Sequence, residues 1–170
     1  MAVFGLSTTT AVSLSANTEV GGLVFNAAAN DFTITANSGV ALTISGLGII
    51  NNSGVIQRFV AAGGNGAIRF TNGSTAGFNT SFTVEGGPAT DGSFGAVEFH
   101  NGSSAGYATL TINGGEVSGA FGGSVQFFDS ATAGHGIFIH NGTTIAGAGR
   151  AVTLFLDRSS AANGTLRISF

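Results

Sequence analysis

Apolar and polar residues alternate in short runs along the chain, and no helical period of useful length is present. Ala11-Val12-Ser13-Leu14-Ser15, Phe32-Thr33-Ile34-Thr35 and Ala41-Leu42-Thr43-Ile44-Ser45 alternate cleanly, and Leu23-Val24-Phe25 less so. Alternation over four to six residues predicts strands. Between the runs lie Asn30-Asp31, Asn37-Ser38-Gly39, Gly46-Leu47-Gly48 and Asn51-Asn52-Ser53-Gly54. These residue types accept positive φ or hydrogen-bond their own backbone, so they predict turns.

From Gly66 a unit repeats, with further copies starting at Gly95, Gly123 and Arg150. Phe70, Phe99 and Phe127 are 29 and 28 residues apart, and Leu154 falls 27 further on. In each copy two apolar residues flank a polar one: Ile68 and Phe70 about Arg69, Val97 and Phe99 about Glu98, Val125 and Phe127 about Gln126, Val152 and Leu154 about Thr153. Alternate side chains on a strand face opposite sides. Ile68, Phe70, Val97, Phe99, Val125, Phe127, Val152 and Leu154 are therefore the predicted interior ladder, and Arg69, Glu98, Gln126 and Thr153 an outer column. A polar corner follows in each copy, Asn72-Gly73, Asn101-Gly102, Asp129-Ser130 or Asp157-Arg158. A second strand comes next, carrying Phe82 and Val84, then Leu110 and Ile112, then the Ile137–His140 run, then Leu166 and Ile168. A Gly-rich return with a third short strand is predicted to close the coil.

A fixed period of this size means stacked copies of one unit. One coil of about 28 residues buries too few side chains to offset the entropy of ordering itself. Stacked at about 4.8 Å per rung, coils pair their backbones and pile Phe on Phe. The prediction is an all-β, single-stranded parallel β-helix (a β-solenoid) of about six rungs. Residues 1–65 form less regular N-terminal rungs and 66–170 the regular repeats of one continuous solenoid.

Composition narrows the chemistry. The 170 residues include 29 Gly, 15 Phe, one Pro, no Cys, no Trp and no Lys, and only 8% are charged. High hydrophobicity with low net charge is the reverse of a disordered chain. The net charge of −3 and scattered Arg provide no basic stripe for nucleic acid. Without Cys there are no disulfides and no thiolate metal sites. No apolar run approaches the roughly 18 residues of a membrane span, and the start lacks the basic and apolar regions of a signal peptide.

The Phe-x-Asn-x-Ser-Thr/Ser-Ala-Gly-x-x-Thr pattern with its Asn-Gly-Gly return resembles the β-helix repeats of bacterial autotransporter passenger domains. Ser15–Val20, Phe32–Thr35, Leu42–Gly46 and Ile50–Val55 resemble the segment that leads into such repeats. The resemblance covers essentially the whole chain. It implies a right-handed parallel β-helix, export through an outer-membrane barrel, and an extracellular or cell-surface location.

Candidate catalytic and ligand constellations have structural explanations. The nearest match to a calcium-binding nonapeptide, Gly63-Gly64-Asn65-Gly66-Ala67-Ile68, has Ile where the pattern needs Asp. Glycan cleavage needs clustered carboxylates, yet few acids share columns on neighbouring rungs. Asp129 aligns with Asn72 and Asn101 as a corner hydrogen-bond ladder, and Glu98 stacks beside Arg69 as a solvated ion pair. His100 shares a column with Thr71 and Phe128, and His135 follows a corner Gly. His140 either shares a column with Ile112 or points outward. The Thr33/Thr35 and Thr109/Thr111 pairs do not recur on every rung, so β-propensity explains them. No catalytic, metal-binding or cofactor-binding residue is predicted, and the chain is read as no enzyme.

The stretch Leu166-Arg167-Ile168-Ser169-Phe170 is strand-like and apolar, and an open edge of that kind templates another strand. The expectation is a non-catalytic structural solenoid that stacks on copies of itself head to tail, a contact that does not close and so builds a filament. The alternative is an adhesin-like module gripping a surface glycan or receptor along one face, with Tyr107, His100 and His135 stacking on sugars. No nucleic acid or membrane span enters either reading.

Overall fold

The computed structural model describes residues 1–169. Phe170, the last residue of the predicted stacking stretch, lies outside the described residues. Fourteen strands follow one another without a helix: β1 (Ala2–Phe4), β2 (Ala11–Leu14), β3 (Thr18–Phe25), β4 (Thr33–Ala36), β5 (Ala41–Asn51), β6 (Gln57–Ala61), β7 (Ala67–Phe70), β8 (Thr80–Val84), β9 (Ala96–Phe99), β10 (Thr109–Ile112), β11 (Ser124–Phe127), β12 (Ile137–Asn141), β13 (Val152–Phe155) and β14 (Thr165–Ser169). Odd-numbered strands pair in one parallel sheet and even-numbered strands in another, seven in each. The chain is a β-solenoid of about six turns.

The winding has three faces. On the first, the start of β3 pairs with the start of β5, then β7, β9, β11 and β13 follow. The second begins with β1 on the ends of β3 and β5, which reach it past a bulge between Val20 and Gly22. It continues as Ile49 N–H to Thr75 O, then as single bridges Thr75–Ser104–Thr132–Ser160. The third is β2, β4, β6, β8, β10, β12 and β14. The third short strand expected in the Gly-rich return is absent there; the extra ladder runs through the Ser/Thr corner instead. Those hydroxyl-bearing residues face outward, while Ala76, Ala105 and Ala133 are buried on the inner side.

Along the first face, Val20, Ile44, Phe70, Phe99, Phe127 and Phe155 form one column, with steps of 24, 26, 29, 28 and 28 residues. The 28-residue period thus holds for the C-terminal turns, and the N-terminal turns are tighter. Ring centroids are 4.9 Å apart for Phe70–Phe99, 4.7 Å for Phe99–Phe127 and 4.8 Å for Phe127–Phe155, all within 9° of parallel. Across the bore, Phe82 and Phe138 meet the column edge-on, at 5.8 Å from Phe70 and from Phe127. Offset and edge-on ring pairs add about 0.5–1.5 kcal/mol each beyond area burial.

The fourth copy corrects the predicted ladder. Val125 pairs with Thr153 and Phe127 with Phe155, so Thr153 and Phe155 face inward. Val152 and Leu154, predicted inside, lie on the outer columns behind Ser124 and Gln126. A one-residue slip inverts every side chain of a strand. The hydrophobic pattern misleads here because Leu154-Phe155-Leu156 is apolar on both faces. Register is held by the corner, where Asp157 sits one rung above Asp129 at a spacing of 28.

Candidate functional site

Ordered polar side chains occur at the corners, on the outer columns and inside the bore. At the first corner Asn72, Asn101, Asp129 and Asp157 have φ of 54°, 50°, 55° and 58°. Asn and Asp are the non-glycine residues that best tolerate this left-handed region. Of the ladder predicted there, the Asn101–Asp129 step is present and Asp157 extends it: Asn101 N–H donates to Asp129 Oδ2 at 3.0 Å, and Asp129 N–H to Asp157 Oδ2 at 3.1 Å. Asp129→Ala is expected to cost about 1–2 kcal/mol through the lost acceptor and the strained backbone, and Asp129→Asn under about 0.5 kcal/mol. Urea denaturation of the two variants checks this; equal losses would contradict it.

A second ladder escapes the sequence reading. Asn141 Nδ2 donates to Asn113 Oδ1, and Asn113 Nδ2 to Glu85 Oε2, each at 2.8 Å. Its signal is present, since Glu85, Asn113 and Asn141 recur every 28 residues. Strand β6 also escapes it because it opens on a polar residue. Gln57 is fully buried: its amide donates to Asn30 O and Ser53 Oγ, and its Oε1 accepts from Phe32 N–H at 2.8 Å. On the outer column Arg69 Nε donates to Glu98 Oε2 at 2.8 Å, with His100 Nε2 3.3 Å from the same oxygen. In the Gly-rich return the Ser93 hydroxyl and backbone N–H hold the Asp91 carboxyl below its ordinary pKa.

Two aromatic pairs outside the bore are stacked. His100 lies 4.5 Å from Phe128 and Tyr107 4.7 Å from His135, with interplanar angles of 2° and 5°. Each pair spends a ring face on its neighbour in the next rung. Among the described residues no three His, Cys, Asp or Glu side chains gather as a metal-binding group, and no helix is long and apolar enough to cross a membrane.

His140 brings an ionisable ring to the bore. It pairs with Ile112 on one side and Ile168 on the other, which settles its facing as inward. Its Nε2 is 2.8 Å from Thr153 Oγ1, the inward residue of the opposite face. A cavity of about 530 Å³ opens beside it, lined also by Asn141, Thr143, Arg150 and Ile168. A smaller one of about 130 Å³ lies between His140, Thr153, Phe155 and Leu166. Arg150 lines the larger of the two.

Burial holds the His140 imidazole below its ordinary pKa of 6.5. The fold favours the neutral ring, so folding releases a proton. This contribution to stability is complete above the unfolded value of 6.5 and is lost as pH falls below it, because the unfolded chain then binds the proton more readily. The denaturation midpoint should therefore be lower at about pH 5.5 than at about pH 7.5. His140→Gln, which can keep the bond to Thr153, should reduce that difference; an unchanged difference would contradict the assignment.

These cavities mark the C-terminal face, where the interior columns surface. Phe155 is 40% exposed although Phe127, one rung below it, is fully buried, and Leu166 and Ile168 are 58% and 59% exposed. Leu166, Arg167, Ile168 and Ser169 of the predicted stacking stretch lie in β14 on this face. Among the described residues β13 pairs with β11 and β14 with β12. No protein-family model, no curated protein and no solved structure matches the chain.

Proposed function

We propose that the chain is a non-catalytic structural rod, the β-solenoid of an extracellular or surface-displayed passenger, and that its C-terminal face accepts another copy head to tail. The observation that carries this is the run of the third-face columns. One begins at Val12 and ends at Leu166, the other begins at Leu14 and ends at Ile168. A second copy placed end to end would continue apolar on apolar and cover side chains that are now more than half exposed. Burying apolar area is worth about 25 cal/mol per Å², and a free parallel edge supplies the hydrogen bonds. The repeat resemblance supports a passenger-type protein, and with it the surface location.

A glycan-gripping face has less support. His100, Tyr107 and His135 each give a ring face to a stacked neighbour, which leaves less platform for a sugar. Negative-stain electron microscopy and sedimentation velocity over a concentration series test the rod reading. Particles that lengthen in steps of roughly 30 Å, the height of about six or seven rungs, are expected. Short particles of one length at every concentration would overturn the stacking.

A further inference from the structure

Main-chain N–H groups climb the first corner from rung to rung. Asn101 N–H donates to the Asp129 carboxylate and Asp129 N–H to that of Asp157. Asn72 holds the same place one rung below Asn101, with the same left-handed backbone, but the residue above it is an amide and not an acid. Among the described residues none accepts from Asn72 N–H. The column reads Asn, Asn, Asp, Asp, and a step is bonded where its upper residue carries a carboxylate.

Asparagine is a thermolabile side chain. A following Gly favours its loss of ammonia, because no Cβ shields the main-chain nitrogen that attacks it. The chain has Asn-Gly at 65–66, 72–73, 101–102, 113–114, 141–142 and 163–164. The attack needs the Gly N–H proton removed by base, and an N–H that donates to a carbonyl is shielded from base. The N–H groups of Gly66, Gly73, Gly142 and Gly164 donate to main-chain carbonyls at 3.0, 3.1, 2.7 and 2.8 Å. Asn113 is held by its side chain, whose Nδ2 donates to Glu85 and whose Oδ1 accepts from Asn141. Asn101-Gly102 has neither restraint. Both residues are exposed, and among the described residues no group bonds the Asn101 side chain or the Gly102 N–H.

We propose that Asn101 is a deamidation site whose product completes the corner ladder. The Gly102 nitrogen, having given its proton to hydroxide, attacks Asn101 Cγ. The N–Cγ bond forms, the Cγ–Nδ2 bond breaks, and the side-chain nitrogen leaves as ammonia with a proton from water. Water then opens the cyclic imide. Cleavage of the N–Cγ bond restores the ordinary main chain and leaves an Asp side chain at 101. Cleavage between that nitrogen and the main-chain carbonyl carbon of residue 101 diverts the chain through Cγ as an isoaspartyl link. Water is taken up and ammonia released, with no redox step. The Asp product carries what Asp129 and Asp157 carry, a carboxylate one rung above a main-chain N–H, and so supplies the acceptor that Asn72 lacks. Hydrogen bonds to charged acceptors are the stronger kind. The extra main-chain carbon of the isoaspartyl product displaces the corner instead. Neither the site nor its product depends on the end-to-end reading.

Asn72-Gly73-Ser74 and Asn101-Gly102-Ser103 share sequence, corner and exposure, so each controls for the other. The full chain is held in warm, mildly alkaline buffer, folded or in concentrated urea. Peptide mapping by mass spectrometry follows the replacement of NH2 by OH at each pair. In the folded chain Asn101 should convert about two- to tenfold faster than Asn72, the factor that one hydrogen bond commands, and in urea the two rates should converge. Equal rates in the folded chain, a faster Asn72, a ratio that persists in urea, or an Asn101 that converts only in urea would overturn the site. The Asn101→Asp variant tests the ladder without waiting for the reaction. Exchange of the Asn72 amide hydrogen should slow by about the same two- to tenfold. Unchanged exchange would overturn the product's role as the missing acceptor.

Discussion

Phe99→Ala is expected to cost about 3–5 kcal/mol, the range for a truncated, fully buried aromatic side chain. Phe99 has no exposed surface and its ring lies between Phe70 and Phe127 at 4.9 and 4.7 Å. Removing it deletes both stacked contacts and opens a void that the rigid ladders above and below cannot close. One residue earlier the chain tells the opposite story. Glu98→Gln removes the charge of an outer-column carboxylate paired with half-exposed Arg69 and beside His100, keeps its shape, and should cost under about 1 kcal/mol. Urea denaturation of both variants measures the contrast. Losses of similar size would mean that the inward and outward faces of β9 are wrongly assigned.

Gly48→Ala is the second large effect. Gly48 has φ of +85°, and a Cβ there would run into the backbone N and O of Thr75. This is where β5 has turned onto the second face and Ile49 N–H donates to Thr75 O at 2.9 Å. The left-handed backbone alone costs an alanine about 1–2 kcal/mol, and overpacking against main chain adds about 1–3 kcal/mol. Gly54 separates the two contributions: its φ is +78°, but a methyl group at that position would meet nothing within 4 Å. Gly54→Ala should therefore show the backbone cost alone, and Gly48→Ala clearly more. Equal destabilisation would argue against a close approach of Gly48 to Thr75.

The architecture is legible in the sequence because the solenoid is periodic. Phe70, Phe99 and Phe127 announce a column, and the Asn/Asp residues beside them announce a corner. Where periodicity and hydrophobic pattern disagree, the pattern points to the wrong face. In the fourth copy Val152 and Leu154 look like the inward pair, yet Asp157 lies 28 residues after Asp129 and carries Thr153 and Phe155 into the bore. The hydrogen-bonded corner is stiffer than the preference of one apolar side chain for the interior. Polar residues inside are harder to place. Gln57 is buried because three partners satisfy it, and His140 because Thr153 faces it across the bore; these partnerships reach another rung or the next face, which period-two alternation within one strand does not register.

Disulfide trapping across one rung tests the stacked-column account most directly, since the chain has no native Cys. Gln126 and Leu154 are register partners on the outer column, whereas Gln126 and Thr153 point to opposite sides. A disulfide requires Cα atoms within about 4.4–6.8 Å and converging Cβ vectors. The variant with Gln126→Cys and Leu154→Cys should oxidise to an intramolecular disulfide, and the one with Gln126→Cys and Thr153→Cys should not. Efficient closure of the second pair, with the first remaining reduced, would contradict it.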